Sequence, residues 1–428
     1  MKIVVVGAGL AGLASAHRAK QFGHDVLVLE ASDRAAGRAK TLQRPDTNDL
    51  IDVGTQYFHS NYRRAISLIK EMGLASELRK VKGKTRFFDD RVPTGTFTSG
   101  HRIPYIQSGS FWQNVSMSAK GLLQMAGNPI DPYAVLPETA IDHFPAGDKV
   151  SDPFQWEYQV RALVAAGALV EPEIDTISYL HLIRLMRIVV MTDYLTLDRG
   201  IASLHEELAN RLDIRFGSPV SDLVIENEEI KGVLLSNGET LSADCVFLAV
   251  PPNALAKILP NDWKNEQSYL SGVKHPPAMT VSLFLNSSLE ASVWSYVFRP
   301  DVSRLVSFCV DTSQKNRAMA PSGNATLQAW ICSPAVGRLS NQSDEAVIAN
   351  VADELSSNFD DLASKIVGGY VHRVEYAVPQ TPPGHNQAAQ SFLNAVDRRV
   401  GLEVLGDHLS GGYMECALWS AERAVKRL

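Results

Sequence analysis

The chain has 428 residues, 45% of them hydrophobic and 21% charged, enough apolar material for a large core in two or three domains. A net charge of -6 without any basic tract argues against a nucleic-acid partner. The four cysteines, Cys245, Cys309, Cys332 and Cys416, lie far apart, and the eleven histidines are scattered, so neither a zinc centre nor a disulfide framework is suggested.

The first element is an apolar run from Ile3 to Val6, followed at once by glycines at Gly7, Gly9 and Gly12. A second apolar run, Val26 to Leu29, closes on the acid Glu30. Strand, glycine turn, helix, strand and acid in that order form a dinucleotide-binding βαβ unit. Gly7 permits a tight turn, Gly9 lets the backbone approach a pyrophosphate, and Gly12 allows close helix–strand packing. Leu10 and Ala11 open a helix whose free N–H groups and dipole favour the pyrophosphate. Glu30 is placed for a ribose hydroxyl pair, and Ala31 follows it. Lys2 and the apolar residues up to Ala14-Ser15-Ala16 share the outline of a signal peptide, but the glycines interrupt that run, so the nucleotide unit is the better reading. No stretch reaches the roughly 18 apolar residues of a membrane span. A cytoplasmic protein is the expectation.

Arg63 to Leu78 has helical periodicity that Gly73 weakens. From Lys80 to about Pro153 no regular period persists, which reads as an inserted region of short strands and loops. Residues 154–195 read as helical. His181, Arg184 and Arg187 recur there at three-residue steps: the solvent face of an amphipathic helix is the preferred reading, a carboxylate-binding cluster the alternative. Ala202 to Leu212 reads as a helix, and Val220 to Ile225 and Ile230 to Leu235 as strands. Asn237-Gly238 is a hairpin signal, and Cys245 to Val250 is a strand stopped by Pro251-Pro252. Met279 to Leu285 alternates like a half-buried strand; Leu305 to Val310 and Ala325 to Cys332 repeat the style. Ser343 to Phe359 is a helix and Val371 to Ala377 a strand. The tail from Leu402 reads as strand, Gly406-Asp407 turn and helix.

After Glu30 the chain continues through Arg34, Gly37, Arg38 and Thr41, with Ala36 beside Gly37. This resembles the second glycine motif of the flavin amine oxidase superfamily, with Ala36 in place of one glycine. Asp52-Val-Gly-Thr-Gln-Tyr-Phe58 is similar to the segment that passes near the flavin ring in that superfamily, and the stretch from Val220 to Pro252 is similar to its second adenine-side motif. The tail, with Gly406-Asp407 and Gly412-Tyr-Met-Glu-Cys416, is similar to its closing flavin motif. The resemblance implies an α/β fold, a Rossmann-like FAD-binding domain interleaved with an α+β substrate domain. The FAD domain is expected from 1–75, 200–272 and 390–428, the substrate domain from 76–199 and 273–389. It further implies that Arg38 forks onto the pyrophosphate, that Gly54, Thr55, Gln56 and Tyr57 pass the ring, that Asp407 meets the ribityl or phosphate region, and that Tyr413 and Met414 stand at the flavin N1–C2=O edge.

Subtype signals are mixed. Gly412-Tyr-Met-Glu415 is similar to monoamine oxidases, whereas Tyr376 to His385 is similar to protoporphyrinogen oxidases. No cysteine matches the covalent flavin attachment, so FAD is expected to be non-covalent. No lysine falls at Ala278 to Val281, where the superfamily carries one; Lys274 precedes the strand. Tyr413 is expected as a wall of the substrate cavity, with Tyr376 as a candidate facing it. Tyr57 and Phe58 either line the cavity or pack within a strand. His59 is a candidate polar contact over the flavin or proton acceptor, with a surface or satisfied structural histidine the plainer reading. The expected reaction removes a hydride from a C–H bond of an amine or a cyclic or apolar organic molecule, with oxygen as acceptor. A redox-neutral isomerase or cyclase and a non-catalytic flavin-binding protein remain alternatives, and a homodimer stays open.

Overall fold

A computed structural model describes the chain except for residues 36, 89–92, 99–104, 107–108, 162, 165–176, 300–301 and 332–334, with backbone only at 93–98. The alanine of the glycine motif at position 36 and the last residue of the strand expected to reach Cys332 therefore lie outside the described residues. The N-terminal βαβ unit builds a five-stranded parallel sheet. Its order is Asp213–Arg215, Asp25–Leu29, Lys2–Val6, Cys245–Leu248 and Leu402–Val404. The strand Lys2–Val6 is apolar and buried from Ile3 onward because both faces are covered. Ile3 and Val5 pack beneath the helices Leu10–Gln21 and Met414–Val425, whereas Val4 and Val6 join the opposite layer with Leu255, Phe392 and Leu393. Strands from three distant stretches of sequence thus share one sheet, and their carboxyl ends open towards one side.

The second layer system is an eight-stranded sheet. The helix Asp344–Ser356 covers one of its faces with Val347, Val351 and Leu355. The other face presents Phe87, Trp294, Phe308 and Trp330, which cluster with Tyr57 and Tyr194. The strand Ala278–Leu285 was expected to be half-buried; all eight of its residues are buried. The polar members of its alternation face the first domain rather than water, and Thr280 Oγ1 donates to Val53 O at 3.0 Å.

Other expectations shift. The helix beginning at Arg63 stops at Glu71, because Gly73 takes a left-handed φ of 82°. The hairpin at Asn237-Gly238 forms, with Gly238 at φ 89°. The strand expected at Val371 to Ala377 runs instead over Ile366–Val374. Within the stretch read as irregular, Phe111–Ala126 is a 16-residue helix closed by a capping box between Ser110 and Gln113. Its period was obscured because Phe111, Trp112 and Leu123 are exposed while Met117 and Gly121 are buried, so apolar residues occupy both faces. Among its described residues the region 154–195 is helical over Pro153–Gln155, Trp156–Arg161 and Tyr179–Val189, and it gives way to a strand at Tyr194–Leu197.

The basic trio on the Tyr179–Val189 helix corrects the solvent-face reading. His181 and Arg184 are buried, at 3% and 1% exposure. Arg184 donates to Ser410 O at 3.0 Å, Ala134 O at 2.7 Å and Asn386 Oδ1 at 2.9 Å. Arg187 donates to Asn128 O at 2.7 Å and also to Met125 O. Guanidinium forks here satisfy the carbonyls of loops that the sheets leave unpaired, a role with no local sequence period.

Two outcomes follow from this packing. A Cβ at Gly12 would stand 1.9 Å from Gly7 O and 3.2 Å from the Ala249 side chain. Gly12→Ala should therefore destabilise the protein by about 1–3 kcal/mol, measured by urea unfolding, while the same change at Gly337, exposed on the helix Ala335–Leu339 with open space around its missing Cβ, should not. Burial also holds His181, His205, His385 and His408 neutral, pushing their pKa values down to about 3, 4, 4 and 3. Between those values and the ordinary histidine value the unfolded chain binds more protons than the folded one, so this share of stability is present at neutral pH and lost as pH falls. Thermal midpoints should be flat above about pH 7 and drop between about pH 6.5 and 4; a midpoint that held steady to pH 4 would contradict the burial of these rings.

Candidate active site

The carboxyl ends of the parallel strands and the aromatic face of the eight-stranded sheet enclose one cavity of about 930 Å³. The residues nominated from the sequence for the cofactor, apart from Gly12, line it together with His59, Tyr376 and Tyr413, whereas Phe58, His181, Arg184 and Arg187 do not. Gly7, Gly9, Leu10, Ala11, Glu30, Ala31 and Val220 line the cavity. The middle carries Gly37, Arg38, Asp407 and the Gly54-Thr55-Gln56-Tyr57 segment. Tyr413 and Met414 lie there too, and His59 and the aromatic wall of Tyr194, Trp294, Phe308 and Trp330 line the same cavity.

The three glycines of the first turn have different surroundings. Gly7 holds φ 102°, and a Cβ there would strike Ala249 O at 2.6 Å. Gly9 has nothing within 4 Å of the missing Cβ, so the backbone is open to a ligand. Gly12 serves packing alone. Glu30 accepts from Ala8 N at 2.8 Å and from Ser32 N at 2.9 Å, which fixes its carboxylate at the end of its strand.

Arg38 lines the cavity beside the closing motif. Its fork is engaged by Ala377 O at 2.6 Å and Asp407 Oδ1 at 2.7 Å, and the Arg38 charge holds the Asp407 carboxyl below its usual range against the opposing effect of burial. The pair forms part of the cavity wall, between the first glycine motif and the closing motif. The helix Met414–Val425 begins here, and no side chain caps it at Tyr413. Its first N–H groups and positive dipole end are therefore available to an electron-rich ligand edge. Glu415, next in line, is turned away: it accepts from Arg64 N at 2.8 Å and Ala65 N at 3.0 Å, capping the Arg63–Glu71 helix.

Of the candidate aromatic residues, Tyr57 and Phe58 divide. Phe58 is fully buried in a short strand paired with Leu195, whereas Tyr57 faces the cavity, its ring centroid 4.7 Å from that of Tyr194 and 5.8 Å from that of Trp294. Burial raises the Tyr57 phenol well above its ordinary range. His59 is buried among Tyr57, Tyr62 and Tyr194, and its Nδ1 lies 3.2 Å from Thr192 Oγ1. Burial lowers its pKa to about 3, so the ring is neutral at physiological pH. Tyr413 lies over His181, with ring planes 15° apart and centroids 6.1 Å apart, and its hydroxyl is buried without a partner. Tyr376 lies instead against Asn253 and Glu375, beside the helix that follows Pro251. Tyr376 and Tyr413 both line the cavity.

The residues fit a flavin dinucleotide on features of their own. Unpartnered buried polar atoms line the cavity at Tyr413, His205 Nδ1 and His408 Nε2. Open backbone lies at Gly9, and an uncapped helix start lies at Met414. Among the described residues no group of histidine, cysteine or acidic side chains could hold a metal ion. None of the described cysteines lines the cavity.

Sequence reasoning missed the aromatic wall and one lysine. Trp294, Phe308 and Trp330 come from separate strands of the eight-stranded sheet and Tyr194 from a three-stranded one, and only the packing of the two sheets brings them together. Thr280 stands in the stretch where a lysine was sought, lining the cavity and tied to Val53 O. A buried lysine does exist nearby: Lys315, whose Nζ meets Asp52 Oδ2 at 2.8 Å. It lies on a four-residue helix, Thr312–Lys315, and nothing in its local sequence announces burial.

With that geometry in hand, similarity to known proteins is specific. The profile of the family described as flavin containing amine oxidoreductase matches residues 10–428. The flavin-dependent L-tryptophan oxidase RebO of Lentzea aerocolonigenes is 27% identical over 288 residues, 60% of this chain and 59% of that protein. The flavin-containing amine oxidase A of Sus scrofa is 32% identical over 126 residues, 28% of this chain and 23% of that protein. The chain thus spans less than two thirds of the length of these curated relatives. Cyclohexylamine oxidase from Brevibacterium oxydans IH-35A shares the fold, at TM-score 0.74 and 20% identity, covering 100% of this chain and 98% of that one. Among the described residues no helix is long and apolar enough to cross a membrane. The match over nearly the whole chain, on a fold whose cavity unites the dinucleotide glycines with the closing flavin motif, shows that the chain belongs to the flavin-containing amine oxidoreductases.

Proposed function

We propose that this chain binds FAD without a covalent bond and oxidises a small apolar amine, or a related cyclic or apolar molecule, at a C–H bond, with oxygen as the acceptor. The observation that carries the reading is the aromatic end of the cavity. Tyr57, Tyr194, Trp294, Phe308 and Trp330 supply apolar faces, and His59 beside them is neutral. The described arginines that reach the cavity are engaged elsewhere: Arg34 on Gly37 O, Arg38 on Asp407 and Arg373 on Asp344. An amino-acid carboxylate therefore finds no free guanidinium among the described lining residues, which favours an apolar amine over an amino acid.

FAD, when bound, supplies the hydride acceptor. Gly7, Gly9 and Glu30 would hold its adenosine and pyrophosphate, the Gly54–Tyr57 segment and Met414 its ring. The uncapped N-terminus of the Met414–Val425 helix favours negative charge at the ring edge it faces. Tyr57 and Tyr413 act as walls that orient the substrate, and the apolar lining excludes water. A neutral cavity favours the unprotonated amine, whose lone pair is free, so no protein base is required. A redox-neutral reaction is the second reading, and it rests on Thr280 standing in the stretch where a lysine was sought.

The purified protein should be yellow and release its flavin on denaturation. Under anaerobic conditions an apolar primary amine should bleach it faster than the corresponding amino acid, and air should restore the colour with peroxide formed. The bleaching rate should rise with pH towards the pKa of the amine itself and show no ionisation of His59 between about pH 5 and 9. A colourless protein that takes up no FAD would sink the proposal. Turnover without peroxide or an added acceptor would move it to the redox-neutral reading.

A further inference from the structure

Lys315 belongs to the eight-stranded-sheet side of the molecule, yet its side chain is fully buried against the segment that lines the cavity. An ammonium has three N–H donors, and each has a target here. They are Asp52 Oδ2 at 2.8 Å, Gln56 O at 3.3 Å and Gln56 Oε1 at 3.2 Å. One cation therefore grips both ends of the five residues from Asp52 to Gln56. Gln56 closes the loop from inside, its Nε2 donating to Gly54 O at 3.0 Å and also to Asp52 O. Gly54 leaves no slack on the outer side, since a Cβ there would stand 2.0 Å from Arg38 O.

A purely structural ion pair would need only the carboxylate. Two of the three acceptors of Lys315 are instead on Gln56, the residue next to Tyr57. We propose that Lys315 is a positioning residue for the redox site: through Asp52 and Gln56 it fixes the Val53–Tyr57 backbone, and so the place of the Tyr57 ring and of the peptide groups that meet the bound flavin. The proposal rests on reading the cavity as a flavin site. Lys315 does not itself line that cavity among the described contacts, so its action passes through the segment it holds.

Two variants separate holding the segment from holding the fold. Lys315→Met strands the Asp52 carboxylate in the core and should lower thermal stability. In Asp52→Asn/Lys315→Met the buried charge is gone, and an amide oxygen can still accept from Thr41 Oγ1 and Ile201 N. That double variant should melt close to the native protein, yet bind FAD about tenfold more weakly and show an altered visible circular dichroism of the bound flavin. FAD itself is the probe, titrated into deflavinated protein. A native protein that binds FAD, with a double variant identical to it in affinity and visible dichroism, overturns the inference and leaves the flavin reading standing. A native protein that binds no FAD overturns both.

Discussion

The architecture hangs on one carboxylate. Asp52 is fully buried, and its two oxygens draw in three separate parts of the chain: Thr41 Oγ1 at 2.7 Å, the Ile201 backbone N–H at 2.9 Å and Lys315 Nζ at 2.8 Å. A buried ion pair of this kind is no gain over an apolar contact, because desolvation offsets most of the attraction. What it contributes is register. Each donor comes from a different element, and only one arrangement of those elements satisfies every lone pair and every N–H. The Val53–Tyr57 segment that leaves Asp52 is consequently placed between the parallel sheet and the eight-stranded sheet, where it lines the cavity.

The same device recurs around the site. Arg184 is buried behind the closing motif and bonded to Ser410, Ala134 and Asn386; Arg44 is buried under the eight-stranded sheet, bonded to Leu285 O and Ala325 O. In each case a long cationic side chain reaches loop or strand-end carbonyls that no ladder satisfies. The cavity wall beyond Tyr57 is different: aromatic, with a neutral histidine. Charge is spent on holding the frame, and the chamber at its centre is left weakly polar. Such a division suits chemistry in which a cofactor takes up the electrons and the protein orients an apolar substrate.

Much of the nucleotide half was legible because its signals are local. Gly7, Gly9 and Gly12 follow an apolar run at fixed spacing, and Glu30 closes the next one; turn geometry and close packing act over neighbouring residues, so the sequence exposes them. The hairpin at Asn237-Gly238 is local in the same sense. The Phe111–Ala126 helix was hidden because its exposed face carries phenylalanine, tryptophan and leucine, which erases the polar half of an amphipathic period. The trio His181, Arg184 and Arg187 carried a helical period but the wrong inference, since a period cannot tell a solvent face from a face buried against carbonyl-rich loops.

What the sequence alone determined is the cofactor end of the molecule: the βαβ unit, the motifs at Arg38, Val220 and Asp407, and the family they share. The βαβ signals rest on backbone geometry set within a few positions, and the motifs on short runs of fixed spacing, even where side chains such as Arg38 and Asp407 meet only in the fold. What only the tertiary structure decided is the substrate end. The wall of Tyr194, Trp294, Phe308 and Trp330 and the burial of Lys315 against Asp52 both join residues far apart in the chain. Their pairing depends on how two sheets meet, and no local period or spacing encodes that meeting.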